Sequence, residues 1–471
     1  MRQLTGHDAS FLYMESPQQP MHIGSVTIYD PSTAPGGQVR FKDILRHIES
    51  RLPVAELFRQ RVERLPLNVD HPYWIDDPDF DIEFHVRHVA LPEPGDWRQL
   101  CIQAARLHSR PLDPSRPLWE FTVVEGLDAV EGVPKGSYAI VTKVHHACLD
   151  GVSGDALTGA LHDLDPVGAP LEDPQPWTAR PKPNQAELLG RAWVRNTLEP
   201  WRFARLVGRT VPALGRGMRV LQSKDASPVT PGSAPRTRFN GSISAHRVFD
   251  SVTLDLDTIK RIRKAVPGCT VNDVVLAIVG GGMRTYLDDL GELPDETLTV
   301  MAPISARGSE GDDKGGNRVS AMFASLATDV ADPKERLAAV HEATLASKAL
   351  TEAVGAALLA DYAQFTPSML AGSGARLAST LGLANRGAPA YNTVVSNVPG
   401  PQVPLYMNGA EVVAMHGLAP IHDGVGLFHG VYSYRGQVFL SATACREMLP
   451  DPAVYAEALR QSYNDLVAAT T

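Results

Sequence analysis

Two proline-rich stretches interrupt this chain, and they restrict its possible folds more than any other feature. Asp165 to Asn184 holds Pro166, Pro170, Pro174, Pro176, Pro181 and Pro183, and Asp225 to Phe239 holds Pro228, Pro231 and Pro235. Proline fixes φ and removes a backbone donor, so neither stretch is expected to form a helix or a central strand. Read as linkers, they divide the 471 residues into a first lobe of 1–164, an arm of 165–240 and a second lobe of 241–471. At about 100 to 200 residues per domain, each lobe is long enough to bury its own core.

The arm differs in charge from the rest. Glu187 to Lys224 has helical character and carries eight basic residues against Glu187 and Glu199, a local +6 in a chain of formal net charge −9. Trp193, Trp201, Phe203 and several aliphatic residues interleave with the arginines. That mixture suits the interface of an anionic lipid surface, and it reads equally as a solvated helix packed across the two lobes. The acidic balance of the whole chain argues against bulk nucleic-acid binding. The four cysteines are scattered singly, without the spacing of a zinc site or a disulfide framework, which fits a reducing cytoplasm. No secretory signal is visible at the start, and no apolar run reaches the 18 or so residues of a membrane span.

Both lobes mix strands and helices, an α/β or α+β pattern. Ser137 to Val144 is a β-rich run, and Ala156, Leu157, Ala160, Leu161 and Leu164 recur at helical spacing, predicting a helix near 153–164. Thr270 precedes a long apolar segment from Val271 to Tyr286, and Ser433 to Val438 has the composition of a hairpin turn.

The strongest chemical signal is His145-His146-Ala147-Cys148-Leu149-Asp150-Gly151. Fifteen histidines give a neighbouring pair about 0.5 times by chance, whereas Asp and Gly at these offsets lower the expectation to a few in a thousand. On an extended backbone successive side chains face opposite sides, so the two histidines cannot both enter one cleft. One is expected to work and the other to support it. A neutral imidazole with an ordinary pKa near 6.5 suits proton abstraction at pH 7. Asp150 is placed to fix the loop or the imidazole tautomer, and Gly151 allows a sharp turn. The bland alternative is a satisfied core histidine beside a helix-capping aspartate. Cys148, two positions past His146, is a second possible nucleophile or a small apolar filler. A metal held by His145, His146 and Asp150 is disfavoured, because adjacent strand histidines diverge.

The motif resembles the HHxxxDG of the bacterial wax ester synthase/acyl-CoA:diacylglycerol acyltransferases, within the larger group of CoA-dependent acyltransferases and peptide-synthetase condensation domains. Further blocks are similar to that family's and occur in its order over nearly the whole chain: Leu4 to Leu12, Pro20-Met21-His22, Pro117-Leu118-Trp119, Val271 to Val274, Pro303 to Arg307, Gly316-Asn317 and Ser396 to Pro401. The resemblance implies two chloramphenicol acetyltransferase-like lobes of α+β sandwich type, joined by a partly helical linker, with a tunnel for acyl-CoA on one side and an acceptor on the other. It implies His146 as general base, with His145 and Asp150 in the catalytic motif and Gly151 supporting it. It further implies acyl-CoA as co-substrate without a bound cofactor or metal, diacylglycerol or a long-chain alcohol as acceptor, and a cytoplasmic protein associated peripherally with membrane or lipid inclusions.

The remaining blocks are open as chemistry. Pro117, Leu118 and Trp119 are offered as the wall of an acyl channel or as core. Asn272 and Asp273 are read as pocket residues or as a helix start capped by Thr270. Arg307 is offered to a CoA phosphate or to an ion pair within the protein. Asn397 to Gly400 has turn composition. Two rivals to the esterifying enzyme stand: a same-fold acyltransferase acting on another hydroxyl or amine, of polyketide ester-forming or condensation type, and a non-catalytic protein that binds lipid inclusions.

Overall fold

A computed structural model describes residues 1–148, 154–168, 177–194, 197, 232–305, 319–354 and 387–470. These fall into two compact units, one built from Met1–Glu199 and Gly400–Leu418, the other from the remaining described residues. Each combines a six-stranded sheet with helices, the α+β arrangement expected.

The first unit supplies β1 (Arg2–Gln3), β2 (His22–Asp30), β3 (Gln60–Glu63), β4 (Tyr73–Asp76), β5 (Val86–Ala90), β6 (Trp119–Glu125) and β7 (Tyr138–His145). The predicted β-rich run is β7, of the expected length but shifted one residue toward the C-terminus. It lies between β2 and β6, antiparallel to both, and β5 adds parallel to β6. Helix α1 (Gly6–Met14) is capped by Thr5, whose hydroxyl oxygen accepts from the Asp8 N–H. Helix α2 (Trp97–His108) starts on an Asp96–Gln99 capping box and buries Leu100 and Ala104. Helix α3 (Gly154–Leu161) is shorter than predicted, and Leu164 is 71% exposed. The helix stops because Asp163 exchanges two backbone hydrogen bonds with Tyr406, which requires extended chain.

The second half of the chain supplies β8 (Arg247–Asp255), β9 (Thr299–Ser305), β10 (Val319–Ser325), β11 (Thr393–Pro399), β12 (Tyr406–Met407), β13 (Ala410–Leu418), β14 (Leu427–Tyr434) and β15 (Gln437–Cys445). Six of these form the second unit's sheet in the order β10-β9-β11-β14-β15-β8. The other two do not. β13 pairs with β2 from Glu411↔Asp30 to Leu418↔Gly24 and β12 lies beyond it, so the first unit's large sheet runs β12-β13-β2-β7-β6-β5. The sequence division assigned 400–418 to the second lobe; this is a correction, and its physical cause is the free edge of β2, which only a strand from elsewhere in the chain satisfies.

The second unit's core centres on helix α4 (Val271–Asp289), in which Val274 to Val279 are all buried. A helix apolar all round must be covered on every side. Leu337 and Val340 of α5 (Pro333–Val354) and Tyr455, Leu459 and Leu466 of α6 (Pro452–Thr470) share that core. The glycine run within α4 allows the close approach: a Cβ on Gly280 would lie 2.3 Å from the Leu326 carbonyl oxygen, and one on Gly281 2.2 Å from Ser462 Oγ. The predicted hairpin joins β14 to β15 through Arg435 and Gly436, both at positive φ, the two-residue turn that matches strand twist. Asn397 to Pro399, read as turn from composition, instead continue β11 in parallel pairing with β14, because the buried Val394 and Val395 carry the strand through.

Of the arm, residues 165–168, 177–194, 197 and 232–240 are described. The Arg180 guanidinium reaches both Asp76 oxygens at 2.8 and 2.7 Å, holding that carboxyl well below the usual carboxylate range, and Trp177 Nε1 donates to the Asp77 carbonyl. A helix over 185–194 lays Leu188 and Ala192 against Leu65, Tyr73 and Ile75. The first stretch of the arm therefore belongs to the first unit. The rest of the expected basic helix lies outside the described residues.

Candidate active site

The strand β7 ends on His145, the first histidine of the motif, and the second, His146, already belongs to the turn that follows. His145 is fully buried; its N–H donates to the Leu118 carbonyl at 2.9 Å, and its Nδ1 accepts from the Ala147 N–H at 3.1 Å. An accepting Nδ1 puts the proton of the neutral ring on Nε2. That nitrogen faces the Glu15 carboxylate, with Oε2 3.6 Å away. The other Glu15 oxygen accepts from the Met21 N–H at 3.3 Å.

His146 opens a single 3₁₀ turn, His146–Cys148, and its N–H donates to the Met21 carbonyl at 2.8 Å. The residue as a whole is partly exposed, and its ring stacks on Phe11, centroids 3.8 Å apart and planes 17° apart. Burial, followed by the neighbouring rings of His145 and His7, pushes the His146 pKa down to about 3. At neutral pH the ring is uncharged and holds a free lone pair, the state required of a proton acceptor. Asp150 and Gly151 lie outside the described residues.

The rival nucleophile is placed differently. Cys148 is buried, its Sγ 4.0 Å from the Leu118 carbonyl oxygen, and burial with the Asp8 charge pushes the thiol pKa up. A protonated, covered sulfur is a poor nucleophile.

Pro117, Leu118 and Trp119 are all buried. Trp119 donates from Nε1 to the Phe58 carbonyl, its own carbonyl accepts from His85 Nδ1, and its ring stacks on His85. It sits in the first unit's core, with its one polar group satisfied there. Leu118 serves the motif through its backbone, since its carbonyl holds the His145 N–H.

In the second unit Asn272 and Asp273 separate in role. Asp273 is fully buried at the third position of α4, where it forms a reciprocal capping box with Thr270. Its oxygens accept from the Thr270 N–H, His341 Nδ1 and the Thr344 hydroxyl at 2.8, 2.9 and 2.7 Å. Burial opposes ionisation, yet these donors outweigh it and hold the carboxyl below its ordinary pKa. Asn272 is partly exposed, and its Oδ1 accepts from Asn397 Nδ2 at 3.4 Å, which brings two of the sequence blocks together. Arg307, Gly316 and Asn317 lie outside the described residues.

Sequence reasoning gave no role to His7, Phe11, Glu15 or His341. The first three had a readable signal, since spacing of four places them along one helix face. His341 had none. With Cys269 and Asp273 it forms a trio whose ligand-type atoms lie within 4.8 Å of one another, assembled from distant positions. Asp273 is already saturated by protein donors, and burial with the Asp273 charge pushes the Cys269 thiol up to about 12, so the trio works as a hydrogen-bonded helix cap.

A family model described as the wax ester synthase/diacylglycerol acyltransferase catalytic domain matches residues 4–275, and one described as the C-terminal domain of the same family matches residues 315–467. A putative diacylglycerol O-acyltransferase of Mycobacterium tuberculosis is 35% identical over 470 residues, 99% of this chain and 90% of that protein. Another from the same species is 34% identical over 449 residues, 94% of each. Among solved structures, the wax ester synthase/diacylglycerol acyltransferase of Marinobacter aquaeolei VT8 matches with a TM-score of 0.68 at 27% identity, covering 99% of both chains. The first condensation domain of the calcium-dependent antibiotic synthetase shares the fold, with a TM-score of 0.56 at 14% identity over 100% of this chain and 96% of that one. This chain therefore belongs to the wax ester synthase/diacylglycerol acyltransferase family.

Proposed function

We propose that this acyltransferase moves a fatty acyl group from acyl-CoA to the hydroxyl of diacylglycerol or a long-chain alcohol in one step, with His146 as general base. The hydroxyl oxygen attacks the thioester carbonyl carbon while His146 takes its proton. The carbon–sulfur bond then breaks, and the imidazolium returns that proton to the departing CoA thiolate. Ester and free CoA leave, and no acyl-enzyme forms. The observation that carries this reading is the uncharged imidazole of His146, stacked on Phe11 where β7 ends, while its neighbour His145 is buried.

Acyl-CoA enters as co-substrate, and the reaction as written needs no bound cofactor or metal. Diacylglycerol is favoured as acceptor by the names of the mycobacterial relatives, and the Marinobacter protein's name supports a second, alcohol-esterifying activity. Such acceptors reside in lipid, so the enzyme works at a membrane or inclusion surface on the cytoplasmic side, and the +6 arm supports that contact. Among the described residues no helix is long and apolar enough to cross a membrane. The test measures CoA release from palmitoyl-CoA with diacylglycerol, with hexadecanol and with no acceptor. Release that depends on either hydroxyl supports the reading; release that requires an amine or a carrier protein, or none at all, contradicts it.

A further inference from the structure

A general base must hold its lone pair on one line, and a histidine side chain has two free torsions with which to lose it. The surroundings of the two motif histidines differ in this respect. His145 is held at one ring nitrogen, Nδ1 accepting from the Ala147 N–H, while Nε2 faces Glu15 from 3.6 Å. His146 is held at the backbone by Met21, but among the described residues no other residue hydrogen-bonds its ring nitrogens. The ring's defined neighbour is an aromatic face. Phe11 lies 3.8 Å from it and nearly parallel, and His7, one turn earlier on α1, packs edge-on against Phe11 at 5.3 Å and 85°.

We infer that Phe11 is the positioning residue for His146: its ring, stacked on the imidazole, fixes the plane in which the catalytic lone pair lies. The inference rests on the reading of His146 as base. A stacked partner blocks rotation about the Cβ–Cγ bond, since any large turn drives the imidazole edge into the phenyl face, yet itself occupies neither nitrogen. A hydrogen-bonded orienter would occupy one of them. The helix supplies the stiffness. Thr5 caps α1 through Asp8, whose carboxylate in turn accepts from the Thr5 hydroxyl at 2.8 Å. The same helix ends on Glu15, which faces His145. One rigid element thus touches both motif histidines, through a ring at one and a carboxylate at the other.

The test compares Phe11→Leu, which keeps apolar bulk but removes the planar face, with Phe11→Tyr, which keeps the face. In Phe11→Leu, kcat should fall about 10-fold with the KM for acyl-CoA unchanged, while Phe11→Tyr should stay within about twofold of the parent on both. A filler role predicts a lower melting temperature with kcat intact. A second readout needs no turnover. In protein labelled with ¹³C-histidine, the imidazole signal that disappears in His146→Ala should move downfield in Phe11→Leu, because a face-on phenyl ring shields it. An unchanged kcat in Phe11→Leu, equal losses in Phe11→Leu and Phe11→Tyr, or an unmoved imidazole signal each overturns the inference. His146→Ala separates this from the base assignment: if His146→Ala is inactive while Phe11→Leu is fully active, stacking fails and the base stands; if His146→Ala is fully active, the base fails and the positioning role with it.

Discussion

At the motif, two identical side chains one position apart occupy opposite environments. His145 is buried at the end of β7; His146 is uncharged and opens the turn after it. Sequence suggested that the two rings differ in role, but the pleat rule does not apply once the chain leaves the strand, where Leu118 and Met21 hold the two backbone N–H groups. A folded-state pKa far below 6.5 carries a kinetic consequence. The free enzyme's base stays deprotonated well into acid, so kcat/KM should show no falling limb centred near pH 6.5, and a pH profile from 5 to 8 checks this. A limb near 6.5 that disappears in His146→Ala would contradict the assigned environment. For the covered thiol of Cys148, substitution with alanine should leave turnover within about twofold of the parent, and quenching with palmitoyl-CoA should trap no acyl-thioester. Loss of activity on that change, with the fold intact, would return the covalent route.

Elements were legible where their cause is local. The period of β7, the Thr270–Asp273 start of α4 and the Arg435–Gly436 turn each depend on a few adjacent residues, and all three stand where the sequence placed them. The role of the glycine run in α4, close contact with its neighbours, depends on residues about 45 and 180 positions away. Gly280→Ala directs a methyl at the Leu326 carbonyl, which belongs to backbone and has little room to yield. It should destabilise by about 1 to 3 kcal/mol, read as a lower melting temperature. Asp273 makes a pH-dependent contribution. Its carboxyl titrates lower folded than unfolded, so its stabilisation is complete above the ordinary carboxylate pKa of about 3.9 and fades as pH falls through the folded value. Asp273→Asn should therefore cost about 1 to 3 kcal/mol at pH 7, and the gap between variant and parent in denaturant melts should narrow below about pH 4. A constant gap across that range would contradict the ionic account.

Across the whole chain, the two proline-rich stretches suggested lobe boundaries, but the compact units change over between them, at 199/200, and the first unit also takes in 400–418. Strand β13 crosses from the second half to close the edge of β2, and Trp97 of α2 packs on His416 of that strand. No local pattern announces such a long-range exchange, since β13 reads as an ordinary strand wherever it pairs. The consequence is that residues 1–240 expressed alone should aggregate, with the β2 edge bare, whereas co-expression with 241–471 should restore solubility. The proposed chemistry finally rests on one ring. The most direct measurement is the rate of acceptor-dependent CoA release by purified His146→Ala beside the parent, at matched melting temperature: a loss of about 10²- to 10⁴-fold is predicted, and an undiminished rate in the folded variant would contradict the account.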